Sequence, residues 1–101
     1  MAQIIWADTA ITDLENIADY ISLSNPAAAK ALVQSLLNKI ERLERFPLSG
    51  KIPTEIPELE YREIIAPPCR VFYRLADETV FIVHICREER DLRKLLAAQL
   101  E

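Results

Sequence analysis

The hydrophobic period of this chain changes once, from helical to strand-like, and the change falls in a proline-punctuated loop from Pro47 to Pro57. Before the loop, Ala10, Leu14, Ile17, Ala18 and Ile21 recur at three- and four-residue steps. Ala29, Val33, Leu36, Ile40 and Leu43 then step by 4, 3, 4 and 3. Each set lays one apolar stripe along a helix, able to pack on a neighbour. From Glu60 onward the runs are short, rich in β-branched and aromatic residues, and broken by turn signals, which is strand behaviour. With one helical half and one strand half in only 101 residues, the available fold is helices on one face of an antiparallel sheet, the α+β class.

The local signals fill in the order. Ile4-Ile5-Trp6 reads as an N-terminal strand, and Asp8 or Thr9 as the cap of a first helix. Ser22-Leu23-Ser24-Asn25-Pro26 stops that helix and restarts another, with Asn25 as cap and Pro26 at the first helical position. The second helix is expected from Pro26 to Arg45 and is ended by Phe46-Pro47, because the residue before proline is pushed out of the α region. So short a connection makes the pair an α-hairpin. Strands are expected over 60–66, 70–75 and 79–86 as a three-stranded antiparallel meander, followed by a C-terminal helix over 88–99 carrying Leu92, Leu95 and Leu96. The whole chain, 1–101, reads as one domain. A last hairpin centred on Asp77-Glu78 would place Val71 opposite His84, Tyr73 opposite Ile82 and Cys69 opposite Cys86.

Composition removes several functional classes. No apolar run reaches the roughly 20 residues that span a bilayer, and Met1-Ala2-Gln3-Ile4 carries no basic export region, so a cytoplasmic protein is expected. Its two cysteines are expected as buried reduced thiols. One histidine and no cysteine pair at ligand spacing argue against a metal site, and no cofactor motif is present. A net charge of −4 lowers the expectation of general nucleic-acid binding without removing a local basic patch.

What remains is arginine. Arg62, Arg70, Arg74, Arg87 and Arg90 recur within and at the ends of the expected strands, where long cations are scarce. Two readings stand side by side: a surface that holds an anion or an acidic partner, or solvated arginines on the open face of a sheet. Glu60, Glu63, Glu88 and Glu89 are interspersed with them, which suits a protein–protein surface better than a phosphate cradle. His84 lies in a Val-Ile-Cys run and reads as a neutral core histidine hydrogen-bonded to backbone rather than as a general base.

Taken in order, the motifs resemble the ParE/RelE superfamily, toxins of type II toxin–antitoxin modules. They are Trp6-Ala7, Asp13-Leu14 with Ile17 and Tyr20-Ile21, Pro26-Ala27-Ala28-Ala29, Leu43 with Phe46-Pro47 and Gly50, Tyr61-Arg62-Glu63, Arg70-Val71-Phe72-Tyr73-Arg74 and Arg90-Asp91-Leu92. The resemblance implies the same α-hairpin on an antiparallel sheet, and two alternative activities. RelE-like members cut mRNA on the ribosome; for that set Arg62 matches one lysine position, Ile64 stands at the other, and Arg70 and Arg90 match two arginines. Leu96 stands near the place of the terminal tyrosine, so the acid–base group of the nuclease set is missing. ParE-like members, of plasmid-stabilisation type, inhibit DNA gyrase by protein contact, and this branch suits the acidic chain better. Either branch implies a cognate antitoxin whose amphipathic segment covers the toxin, with Arg70, Arg74 and Arg87 meeting its acids. Operator DNA would be reached only through the antitoxin. A member that binds its antitoxin and has lost toxicity is the third alternative.

Overall fold

The computed structural model describes residues 1–55 and 57–88. Strand β1 (Gln3–Trp6) leads into helix α1 (Asp8–Ser22) and helix α2 (Pro26–Glu41), which tightens into a 3-10 turn at Arg42–Glu44. After the proline-rich loop come β2 (Arg62–Ala66), β3 (Cys69–Ala76) and β4 (Thr79–Arg87). The sheet runs β1-β4-β3-β2, with β1 parallel to β4 and the remaining pairs antiparallel. The expected α+β architecture is therefore present, with the N-terminal strand inserted beside the last one. The helix expected over 88–99 lies outside the described residues.

The α-hairpin forms much as its sequence dictates. Asn25 Oδ1 accepts the Ala28 N–H at 3.0 Å and Pro26 opens α2, so the second helix is capped by side chain and ring together. Helix α1 starts differently from expectation: its N-cap is the extended Ala7, with no side-chain cap. Asp8 instead sits in the first turn, favourable to the helix dipole. Thr9 Oγ1 donates to the Val83 carbonyl at 2.8 Å, tying the helix start to β4. At the far end the α geometry stops at Glu41 rather than Arg45, and the chain tightens so that the Arg45 N–H closes a three-residue bond to the Arg42 carbonyl.

The main core lies between the hairpin and one sheet face. Ala10, Leu32, Leu36, Ile40 and Leu43 meet Val71, Tyr73, Val80, Ile82 and Ile85. Leu32, rather than Val33, carries the buried position in the second turn of α2. On the opposite face a smaller cluster joins Phe72 and Cys86 with Tyr61 and Val83.

The β3–β4 hairpin corrects the expected register in one half. Asp77 and Glu78 both adopt left-handed backbone, φ 48° and 61°, as a two-residue primed turn demands. Ala76 thus faces Thr79, and Tyr73 faces Ile82 as expected. Between Phe72 and Tyr73 the register slips by one residue, a β-bulge that leaves Val83 without a direct partner. Beyond it Val71 faces Ile85, Phe72 faces His84, Arg70 faces Cys86 and Cys69 faces Arg87. The two cysteines therefore belong to clusters on opposite faces of the sheet and are free thiols. Period-two reasoning could not place this bulge, since only Ile82 and Ile85, three apart and both in the core, betray it.

The loop after α2 is bound back to the sheet at Gly50. Its N–H donates to Tyr73 Oη at 2.9 Å, and the Tyr73 hydroxyl donates to the Pro47 carbonyl at 2.7 Å. A Cβ at residue 50 would lie 2.5 Å from Tyr73 Oη and 2.8 Å from the Glu63 carbonyl. Glycine is required here by close approach rather than by backbone angle, since the φ of Gly50 is not positive. Gly50→Ala is expected to lower stability by about 1–3 kcal/mol, as overpacked sites do, measured as a reduced urea midpoint. Conversely, Glu78→Gly relieves a non-glycine residue of left-handed backbone and should raise the unfolding free energy by up to about 1 kcal/mol.

Candidate functional site

Strand alternation divides the arginines between the two faces of the sheet. Arg62 faces Tyr73 on the helix side, whereas Arg70, Phe72 and Arg74 project from the other side of β3. Arg87 pairs with Cys69 and returns to the helix side at the opposite end of the sheet from Arg62. Arg90 lies outside the described residues. The single arginine surface suggested by the sequence is replaced by separate positions with different surroundings.

Arg70 is the most constrained of them. Its guanidinium donates through Nη1 and Nη2 to the two Glu55 carboxylate oxygens, at 2.8 and 2.9 Å. Its Nε and Nη2 donate to Glu63 Oε2 at 3.0 and 2.5 Å. The guanidinium also rests over the Phe72 ring, 4.7 Å from its centroid, a cation–π contact. Only 10% of the Arg70 side chain and 4% of the Glu63 side chain is exposed. The hydrogen bonds to Glu55 lead the effects that hold the guanidinium even further above its ordinary high value, against the opposing effect of burial. Lys51 Nζ adds a second cation 3.5 Å from Glu63 Oε1. The two carboxylates, each held by a pair of N–H groups, engage four of the five donors of the planar fork. Arg70 therefore stands as an internal cross-link, matching neither the anion-holding surface nor the solvated open face that the sequence left as alternatives.

Arg62 works on the helix side. Its Nη1 donates to the carbonyls of Gly50, at 2.8 Å, and Leu48, at 3.3 Å. Burial pushes the neighbouring Tyr73 phenol above its ordinary value, opposed by the Gly50 hydrogen bond and the Arg62 charge. Arg74 is exposed and makes no ion pair among the described residues. Arg87 is exposed at the rim of a groove of about 530 Å³ between α1 and the end of the sheet. Ile17, Tyr20, Ile21 and Ile85 give this groove an apolar floor, with Asp13 at its edge. Tyr20 is 68% and the nearby Leu23 85% exposed, an unusual amount of free apolar surface for one helix end.

Beside this groove, His84 is buried, its Nδ1 3.6 Å from Asp13 Oδ2. The same carboxylate oxygen accepts the Ile85 N–H at 3.0 Å. The expectation of a backbone-bonded core histidine is thus modified by an acid from α1. Among the described residues no group of three His, Cys, Asp or Glu side chains could hold a metal ion, and no helix is long and apolar enough to cross a membrane. Sequence reasoning missed Glu55 and Asp13 as partners. Glu63 had a signal: a two-residue connection at Pro67-Pro68 makes it the diagonal neighbour of Arg70 on one face.

Comparison with known proteins agrees with this architecture. Residues 4–92 match the family described as the ParE toxin of the type II toxin–antitoxin system parDE. Toxin RelE2 of Caulobacter vibrioides is 35% identical over 86 residues, covering 84% of this chain and 93% of that protein. The chromosomal ParDE system from P. aeruginosa superposes with a TM-score of 0.73 at 26% identity, over 88% of this chain and 98% of its own. The toxin–antitoxin complex RelBE2 from Mycobacterium tuberculosis shares the fold alone, with a TM-score of 0.57 at 23% identity over 86% of this chain and 98% of its own. An α-hairpin laid on a four-stranded sheet with an N-terminal parallel strand is the architecture behind these matches. The chain belongs to the ParE toxin family of type II toxin–antitoxin systems.

The buried pair makes a clear demand on stability. Arg70→Ala leaves Glu63 buried with Lys51 as its remaining ion-pair partner among the described residues, and should cost about 3 kcal/mol or more. Arg74→Ala, at an exposed position, should change stability by less than about 0.5 kcal/mol. Equal urea midpoints for the two variants would contradict the cross-linking role of Arg70.

Proposed function

We propose that this chain is a ParE-like toxin that inhibits DNA gyrase by protein contact in the cytoplasm and is neutralised by a cognate antitoxin. The observation that carries the choice of branch is the closed fork of Arg70. Metal-free cleavage of RNA needs cations free to stabilise the scissile phosphate, together with an acid or base. Arg70 already holds Glu55 and Glu63, and Arg62, on the other face, is bound to backbone carbonyls. These two positions of the nuclease set therefore do not converge on a common phosphate. A contact-acting inhibitor has no such requirement. The P. aeruginosa neighbour is a ParDE system, in keeping with the parDE family that the chain matches.

The groove at α1 supports the antitoxin half of the proposal. Its apolar floor and the exposed Tyr20 and Leu23 suit the apolar stripe of an amphipathic helix. Arg87 at the rim would meet an acid of that segment, and Arg74 remains available on the other face for antitoxin or target. Arg62 and Arg70 hold the framework on which these surfaces stand, and Arg90 is assigned with Arg87 to the gyrase contact.

Expression of the chain alone tests the reading. The expected phenotype is filamentation, gyrase-linked DNA breaks and intact transcripts, relieved by co-expressed antitoxin. Codon-phased mRNA cuts would move the chain to the nuclease branch. Healthy growth at normal protein level would leave an antitoxin-binding homologue. Arg87→Glu should weaken antitoxin capture at least about tenfold, as reversal of a charge at a complementary contact does.

A further inference from the structure

The loop that follows α2 leaves three large apolar side chains in solvent while most of its backbone is tied down. Phe46 is 60%, Leu48 61% and Ile52 52% exposed. The Pro47 carbonyl accepts the Tyr73 hydroxyl, and the Leu48 and Gly50 carbonyls accept Arg62 Nη1. The Gly50 N–H donates to Tyr73 Oη, Lys51 exchanges both of its backbone bonds with Glu63, and Pro53 is buried just beyond. A loop held in this way presents its side chains with little ordering left to do on binding. Beside Phe46 a basic groove of about 640 Å³ opens between the C-terminal end of α2 and the outer edge of β2, with Lys39, Arg42 and Lys51 on its walls. Within residues 42–52 the exposed charged side chains are Arg42, Arg45 and Lys51, and the one acid, Glu44, is half-buried. Arg42 and Arg45 make no ion pair among the described residues. Lys51 meets Glu63 at 3.5 Å and still keeps 67% of its side chain exposed. A positive rim thus borders the apolar ridge of a chain whose net charge is −4. Scattered exposed apolar residues need no explanation, but three within seven positions of a pinned loop mark a contact surface.

We propose that this ridge is the surface by which the toxin grips its protein target, with Phe46, Leu48 and Ile52 entering an apolar cleft edged by carboxylates. The inference rests on the proposed function in taking the target to be a protein, and adds a contact remote from the Arg87 end of the sheet. Charge and hydrogen bonding separate this occupant from the others. A second copy would meet the ridge across a twofold axis, setting Arg42, Arg45 and Lys51 against their own copies. An extended peptide would gain most by adding a strand to β2, but that edge is already closed. The Glu63 N–H and carbonyl are taken by Lys51 at 2.8 and 3.0 Å, and Lys39 Nζ donates to the Ile65 carbonyl at 2.9 Å. The amphipathic segment of an antitoxin has its apolar seat in the α1 groove, which shares no residue with the ridge. What remains is a folded protein surface of opposite charge, which would receive a rigid apolar anchor inside a polar rim.

Growth arrest on expression of the full chain alone is the first readout. The second is binding of the purified chain to purified DNA gyrase by surface plasmon resonance, between about 50 and 200 mM salt. The wild-type chain arrests growth and binds. L48S/I52S binds at least about tenfold more weakly and loses the arrest at equal protein level, while still capturing co-expressed antitoxin. R42E/R45E associates about tenfold more slowly at low salt with dissociation nearly unchanged, as rim charges act. All four changed side chains are exposed, and melting curves matched to the wild type show that the fold is intact. Undiminished arrest by L48S/I52S overturns the ridge, and gyrase-linked DNA breaks in the same cells leave the gyrase reading standing. Arrest without gyrase binding, lost in L48S/I52S, overturns gyrase and supports the ridge as the contact with another acidic protein. Loss of antitoxin capture by L48S/I52S, or a wild-type dimer that this variant dissolves, gives the ridge to those occupants and overturns the proposal. Codon-phased mRNA cuts, or healthy growth with the wild-type chain, overturn both readings.

Discussion

A single buried cation organises the half of the molecule that faces away from the helices. Arg70 lies between Glu63 on the neighbouring strand and Glu55 on the loop that crosses in front of it. Each partner alone would be unfavourable to bury, because a charge taken out of water must be matched by both attraction and hydrogen bonding. Together they fill the guanidinium fork, press it against Phe72 and fasten the loop to the sheet. The same arrangement removes from the surface the arginine best placed to hold an external anion. Stability and the choice of activity are therefore linked through one side chain.

The opposite face depends on a different fastening. Tyr73 reaches from the middle of β3 through the core to the loop at Pro47 and Gly50, and Arg62 closes over the same loop from β2. The two faces thus each pin one stretch of the proline-rich connection, first at residues 47–51 and then at Glu55. This connection sets the outer boundary of the basic groove, while the α1 groove lies at the other end of the sheet. The molecule consequently offers two concave surfaces of contrasting character, one apolar with a rim arginine and one lined with cations.

Much of this was readable from residue spacing. The α-hairpin, the Asn25-Pro26 restart, the three meander strands and the Asp77-Glu78 turn are local signals, and each is present, with the α2 stripe shifted to Leu32 at one position and the helix ending at Glu41. The bulge at Phe72 and Tyr73 was not readable, because β3 keeps strict alternation and the extra residue lies in an evenly apolar β4. The surroundings of the arginines were only partly legible. Glu63 follows from hairpin geometry once the connection at Pro67-Pro68 is known to be two residues long. Glu55 comes from an irregular loop with no period, and Asp13 from a helix position outside the apolar stripe, so neither contact had a sequence signature. The clustering of Lys39, Arg42 and Lys51 likewise requires the three-dimensional return of the loop against α2.

The parallel pairing of β1 with β4 has a consequence for the order in which the molecule comes into being. Ile4 finds its partner only in Val80, and the Gln3 amide only in the Glu78 carbonyl. Contacts this distant along the chain are the slowest to close. During synthesis the first strand must wait, unpaired, until residues 79–82 have been made. A truncated or interrupted product would retain the α-hairpin but not a completed sheet, and neither concave surface would be assembled. The topology therefore makes the completed sheet conditional on the synthesis of β4.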